Sequence, residues 1–267
     1  MTLRERLGVT LLLQQERPTI DEQELLCASI LSVRAAAAST SHEGSSRVNK
    51  VALDSRRVCF HKAAAGVNER QARRYGHEPF GVLINESAAW MVAKALGPPF
   101  MEWVPTTVIR SIWPEDPALA GGFGAFSTGM VGETDVDGPW QDPAYCDPAA
   151  FWDALIGQQD RHYGNYRFDT GAQQSPLGLI DNGYAFAAPT QWNSYHPHAS
   201  IFVHHRRLAG RLALTDGERS WLKMLLFDDA LLGDLSDILA PEQFQALRAR
   251  IQRMMSSPHE ILGVLEF

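Results

Sequence analysis

Asp160-Arg161-His162-Tyr163-Gly164-Asn165 is the stretch on which the reading of this chain turns. It follows AAFWDALIG (149–157), which reads as a helix ended by Gly157. An aspartate and an asparagine then fall five apart in a polar turn. A short strand is expected near Tyr166–Phe168 and a second over LGLID (177–181), which runs into Asp181-Asn182-Gly183. A turn after a helix and the end of a hairpin strand can bring these side chains to one cleft. Phosphoryl transfer needs such a cleft. It asks little covalent work of the protein, but it needs divalent metal held against phosphates and a group that orients or deprotonates the attacking hydroxyl. Asp and Asn oxygens suit Mg²⁺, a hard cation that takes one or two carboxylates and keeps several waters.

DRHYGN followed by LIDNG resembles the catalytic and metal-binding loops of the phosphatidylinositol 3-/4-kinase-like superfamily. That superfamily has the protein-kinase fold and includes lipid kinases, atypical protein kinases and small bacterial members. The resemblance runs in motif order from about residue 30 to 186. It implies an α+β chain of two lobes, an antiparallel-sheet N-lobe with an N-terminal helical extension over residues 1–131 and a mostly helical C-lobe over 132–267. By the same resemblance Asp160 positions or deprotonates the acceptor hydroxyl, and His162 competes for that role. Asn165 and Asp181 would hold metal, Arg161 would be structural, and the cofactors would be ATP with Mg²⁺ or Mn²⁺.

Such a site makes demands upstream: a strand lysine on the ATP phosphates and a helix glutamate that orients it. The chain has 20 arginines but only four lysines, Lys50, Lys62, Lys94 and Lys223. Lys62 lies in RVCFHKA (57–63), a predicted strand on which Val58, Phe60 and Lys62 share a face. Phe60 would roof the nucleotide base. Glu86 lies in VLINESAAWMVAKAL (82–96), the clearest helix of the first half, and is preferred as partner over Glu78 in the preceding loop. STSHEGSS (39–46) is the expected phosphate-covering loop, with Ser45 and Ser46 as contacts, although it has the single Gly44 and departs from a Gly-rich pattern. FGAFSTGMV (123–131) reads as the strand into an inter-lobe hinge near Ser127–Met130, where backbone groups would bind adenine.

Outward from these motifs the chain alternates in character. Helices are expected over 3–15 and 21–28, and 29–38 is ambiguous between strand and helix. VNKVALD (48–54) and RVCFHKA pair through a turn at Asp54–Arg56, and 64–79 reads as an irregular polar excursion. VPTTVIRSI (104–112) is a strand, and the Gly-, Asp- and Pro-rich residues 132–147 mark the lobe boundary. Asp147–Pro148 reads as the N-cap and first position of the next helix. Beyond Pro189 the chain reads as mostly helical, with a capping box at Thr215–Glu218 and an amphipathic helix opened by Pro241. His196, His198, His204 and His205 cluster here, but without acidic or Cys partners they read as a solvated loop running into a helix. Tyr163 and Tyr166 read as packing residues.

Composition bounds the rest. The chain has 267 residues, 45% of them hydrophobic and 21% charged, an ordinary globular composition. A net charge of −7 argues against a nucleic-acid binder. Three distant cysteines (Cys27, Cys59, Cys146) form neither a disulfide framework nor a Cys-rich zinc site and suggest a reducing compartment. No apolar run reaches membrane-spanning length and no signal-peptide pattern opens the chain, so no stable membrane insertion is expected and the expected location is cytoplasmic. The expected activity is an ATP- and Mg-dependent phosphotransferase acting on a hydroxyl of a protein, a peptide or a small polar metabolite. A phosphoinositide kinase, a nucleotide-binding pseudokinase scaffold and an AMP-transferring enzyme are the alternatives that the same motifs allow.

Overall fold

A computed structural model of the chain describes residues 2–35, 47–112, 122–134, 138–171, 176–188 and 200–256. Two helices come first, α1 (Leu3–Glu16) and α2 (Ile20–Cys27). Each opens on a threonine, Thr2 or Thr19, whose hydroxyl accepts a backbone N–H while Glu5 or Glu22 reaches back to the cap. Such reciprocal caps contribute about 1 kcal/mol each. The ambiguous segment after them is a strand, β1 (Ile30–Ala35), followed by β2 (Asn49–Leu53) and β3 (Val58–Ala63). Arg56, at φ 67°, makes the left-handed corner of the tight turn between β2 and β3.

The excursion after β3 is more ordered than its polarity suggests. It holds a 3-10 turn (Ala64–Gly66) and the short helix α3 (Glu69–Arg74). The helix signals were local: the Asn68 side chain caps Gln71 N–H, Glu69 lies in the first turn, and Arg73 and Arg74 lie in the last. Next come α4 (Pro79–Leu96), α5 (Phe100–Trp103), β4 (Thr107–Ile112) and β5 (Gly122–Thr128). The five strands form one antiparallel sheet in the order β1-β2-β3-β5-β4.

Alternation sorts the sheet's side chains onto two covered faces. Val51, Leu53, Cys59, Val108 and Phe126 pack with Leu25 of α2 on one face. Ile109 and Ala125 pack with Val82 and Leu83 of α4 on the other. Lys62 pairs with Ala125 and so points to the α4 side, whereas His61 pairs with Phe126 and points away. The β4 edge is closed by a side chain. Gln14 of α1 donates to the Ile109 carbonyl at 3.2 Å and accepts the Ile109 N–H, occupying the positions a further strand would take.

The rest is mostly helical: α6 (Pro143–Ile156), a 3-10 turn (Tyr163–Asn165), the hairpin β6 (Tyr166–Phe168) and β7 (Leu177–Leu179), then α7 (Ile201–Leu208), α8 (Asp216–Phe227), α9 (Asp229–Ile238) and α10 (Pro241–Ser256). Helix α6 starts one Asp-Pro pair earlier than expected. Asp142 is the cap, accepting Ala144 N–H at 2.9 Å, and Pro148 lies inside the helix. The second aspartate, Asp147, is instead paired with Arg211 at 2.9 Å. The core here is aromatic: Phe100 stacks on Trp152 at 5.3 Å and meets Trp221 edge-on at 4.7 Å, joining α5, α6 and α8. Burying a Phe fully contributes about 1.5–3 kcal/mol, and Phe100 and Phe151 are both fully buried. All three cysteines are free, and no described helix is long and apolar enough to cross a membrane.

Candidate active site

Lys62 stands where the sheet, α4 and the end of the β6–β7 hairpin converge. Its Nζ donates to Glu86 Oε1 at 2.8 Å and to Asp181 Oδ1 at 2.6 Å. The side chains of Lys62 and Glu86 are 10% and 8% exposed, whereas that of Asp181 is 32% exposed and keeps an open side. Burial works against the charge on Lys62, but Asp181 and Glu86 outweigh it and hold its pKa above the usual lysine range. Burial also pushes Glu86 up, and Lys62 only partly offsets it. In Asp181 the balance reverses: the ion pair and hydrogen bond with Lys62 overcome burial and hold the carboxyl below its usual value. Glu78, the rival partner, is the exposed cap residue of α4.

Local backbone geometry explains how Asp181 gets there. Asp181 adopts φ 57°, a left-handed conformation that aspartate tolerates better than most residues. Gln158 Nε2 donates to the Asp181 carbonyl at 3.1 Å, and the next N–H, of Asn182, donates to Glu86 Oε2 at 2.9 Å. Gly183 then passes so close to α4 that a Cβ would lie 2.5 Å from Val82 Cγ1 and 3.3 Å from Glu86 Oε1. The glycine of Asp-Asn-Gly is therefore required by close approach to the helix that carries Glu86.

Arg161 is structural, as the resemblance implies, and it couples the two loops. Fully buried, it donates to Asp153 Oδ1 at 3.2 Å, to the Asn165 carbonyl at 2.6 Å, to the Ile180 carbonyl and to Asn182 Oδ1 at 2.7 Å. One guanidinium thus fixes the 160–165 turn against the strand end at 180–182. Asn165 is buried and donates through Nδ2 to the Asp160 carbonyl at 2.6 Å. From far along the chain, Arg250 of α10 donates to the carbonyls of Leu155 at 3.0 Å and Ala187 at 2.9 Å, tying the end of α6 to the segment that follows Gly183. Gly157, at φ 63°, leaves the room that guanidinium needs. Burial brings Arg250 down to about 9.

Asp160 is raised to about 7, first by burial and then by the charge of Asp181, against the hydrogen bond from Tyr75 and the charges of Arg161 and Lys62. Its neighbours include two residues that the sequence reading passed over. Tyr75 Oη donates to Asp160 Oδ1 at 3.2 Å, and Gln71 Nε2 lies 3.5 Å from Oδ2. Both belong to the α3 segment, read from sequence as irregular. His162, the competing base, is exposed, and its Nδ1 accepts the Gly164 N–H at 3.0 Å. In the neutral ring that places the proton on Nε2 and commits the Nδ1 lone pair to the backbone.

The remaining expected contacts lie at the margin or beyond. Half-buried Phe60 shares the Lys62 face, and its ring lies 3.4 Å from where a Cβ on Gly129 would stand, at the point where the chain leaves β5. The Ser127 hydroxyl shares a hydrogen bond with Thr107 at 2.9 Å and so serves the sheet. Ser45 and Ser46, with the whole covering loop, and His196 and His198 fall outside the described residues. His204 and His205 are on α7. Among the described residues no three His, Cys, Asp or Glu side chains group into a metal cluster. The oxygen donors of Asn165 and Asp181 still fit Mg²⁺ or Mn²⁺, because a cation bound with a nucleotide draws its other ligands from phosphate and water.

No protein-family model matches the sequence, and no curated protein matches it. Solved structures do match the fold. A crystal structure of the Golgi casein kinase superposes with a TM-score of 0.55 at 15% identity, covering 90% of this chain and 76% of that one. A second structure, of the Golgi casein kinase with Mn/ADP bound, superposes with the same score and identity and covers 90% of this chain and 74% of that one. With its five-stranded antiparallel sheet followed by a mostly helical part, the chain has a kinase-like fold.

Proposed function

We propose that this protein is an ATP- and divalent-cation-dependent phosphotransferase that moves the γ-phosphoryl group to a hydroxyl of a protein or peptide. The observation that carries this reading is the Lys62 ammonium between Glu86 and Asp181, with Asp160 nearby and held near neutrality. Lys62 turns from Asp181 to the ATP phosphates, and Glu86 keeps it aimed. Asn165 and Asp181 are the residues that would hold Mg²⁺ or Mn²⁺, which neutralises phosphate charge when bound. Asp160 accepts the hydroxyl proton, and a carboxyl near 7 is half ionised at neutral pH, a suitable balance for a base. Phe60 covers the base of the nucleotide, and the backbone after Ser127 lines its edge. The lobes divide near residue 131. The DRHYGN and LIDNG pair supports a place near the phosphatidylinositol 3-/4-kinase-like superfamily, and the nucleotide and manganese in one matching kinase structure support the choice of cofactors.

Incubation with ATP labelled at the γ or the α phosphate, with protein and lipid extracts offered as acceptors, tests the proposal. Transfer of γ-label to protein is the expected outcome. Label in lipid would make the chain a lipid kinase, α-label in product would make it an AMP transferase, and nucleotide binding without ADP formation would make it a scaffold.

A further inference from the structure

Both oxygens of the Asp160 carboxylate face the same short segment, Gln71 and Tyr75, one helical turn apart. A base must stand within about 2.6–3.2 Å of the hydroxyl whose proton it takes. Tyr75 Oη, donating to Oδ1 at 3.2 Å, already stands there. Its ring is held in place, tilted against Tyr184 at 4.8 Å, and Tyr184 lies three residues beyond Asp181. The Arg74 guanidinium lies over the Tyr75 ring, 5.9 Å from its centroid. Arg70, Arg73 and Arg74 are all exposed on the same helix, with Arg73 paired to Glu69.

Building on the phosphotransferase reading, we propose that Tyr75 is an acceptor within the chain and is phosphorylated in cis. Tyr75 Oη forms a bond to the γ-phosphorus of ATP. The bond from that phosphorus to the β–γ bridging oxygen breaks, ADP leaves with the electron pair, and the phenolic proton passes to Asp160. The modified residue carries close to two negative charges. Beside Asp160 that charge is repelled, while Arg70 and Arg74 offer charge-assisted partners on the solvent side. Phosphorylation thereby draws the α3 segment off Asp160 and opens the carboxylate to an external hydroxyl.

The test uses the full chain with Mg·ATP, following ADP formation and, separately, intact and peptide mass. A gain of about 80 Da that maps to Tyr75, at a rate independent of protein concentration over about a hundredfold range, is expected. Tyr75→Phe keeps the ring on Tyr184 and should lose that phosphate. Asp160→Asn should lose it as well. ADP formation with Tyr75 unmodified, or phosphate confined to other residues, overturns the proposal. A fractional rate of Tyr75 modification that rises with protein concentration also overturns it, because transfer would then run between molecules. No ADP under any condition overturns the phosphotransferase reading itself, and the internal acceptor with it.

Discussion

Glu86 and Asn182 are joined by a hydrogen bond from the Asn182 N–H to Glu86 Oε2 at 2.9 Å. The other oxygen of the same carboxylate takes Lys62 at 2.8 Å. One buried side chain therefore sets the position of the strand lysine and of the backbone next to Asp181. The helix glutamate acts as a joint for the Asp181–Gly183 loop as well as an orienting partner for Lys62.

That joint makes the lysine costly to remove. Lys62→Met strands Glu86 as a buried carboxylate without its cation, a loss of about 2–4 kcal/mol in urea denaturation. Lys62→Met with Glu86→Gln removes both charges and should regain most of that stability. ATP turnover should stay at least about a hundredfold down in both variants. A double variant no more stable than the single one would show that the Lys62–Glu86 pair does not carry the loss.

Asp181 should couple nucleotide binding to the cation. A ligand at about a hundred times its Kd stabilises by about 2.7 kcal/mol, which raises Tm by several degrees in a chain of this size. Wild-type protein should show that rise with Mg·ATP and a much smaller one with ATP and EDTA. Asp181→Asn should show only the smaller rise whether or not Mg²⁺ is present. A full Mg-dependent shift in the variant would remove Asp181 from the cation site.

The raised carboxyl of Asp160 gives a pH signature with a definite sign. Its ordinary value of 3.8 rises to about 7 in the folded chain, so the folded state favours the protonated form. The stability this gives is full below about pH 4 and is lost as pH rises through 7. Asp160→Asn should therefore leave stability unchanged at pH 4. At pH 8 it should raise stability by about 1–2 kcal/mol, after allowance for the solvent that reaches the group. Wild-type turnover should fall on the acid side with a midpoint near 7. Equal stability of variant and wild type at pH 8 would show that Asp160 ionises without penalty.

Gly183 tests the close approach between the Asp181–Gly183 loop and α4. In Gly183→Ala the added methyl meets Val82 and Glu86, and the loop must shift by several tenths of an ångström. Turnover should drop about tenfold or more with a loss of only about 1–2 kcal/mol in stability. Wild-type activity in this variant would mean that the position of Glu86 does not govern the site.

The legible parts of the sequence were those where local chemistry and function coincide. Once the DRHYGN and LIDNG resemblance asks for a strand lysine and a helix glutamate, strand alternation places Lys62 and the strongest helix of the first half places Glu86, and the two side chains meet. Thr215 and Glu218 form the expected capping box. The misreadings arose where two local signals competed or where the partner lay far along the chain. Asp142–Pro143 and Asp147–Pro148 are equivalent as helix starts by sequence alone, and a distant arginine, Arg211, decides between them. Helix α3 has good caps but little apolar periodicity, so its polarity concealed both the helix and the contacts of Gln71 and Tyr75 with Asp160. Arg250 lies 95 residues from Leu155, whose carbonyl it holds. No spacing rule connects a C-terminal helix to the end of α6 at that range.

Gln14 imitates a strand with a single amide, matching both the donor and the acceptor of Ile109. Its effect is social. A chain shorn of its first helix would expose the β4 border as a bare template, and two such chains could zip edge to edge into a continuous ten-stranded ribbon. The first helix thus blunts that border at Ile109, whose N–H and C=O it keeps from any neighbouring strand.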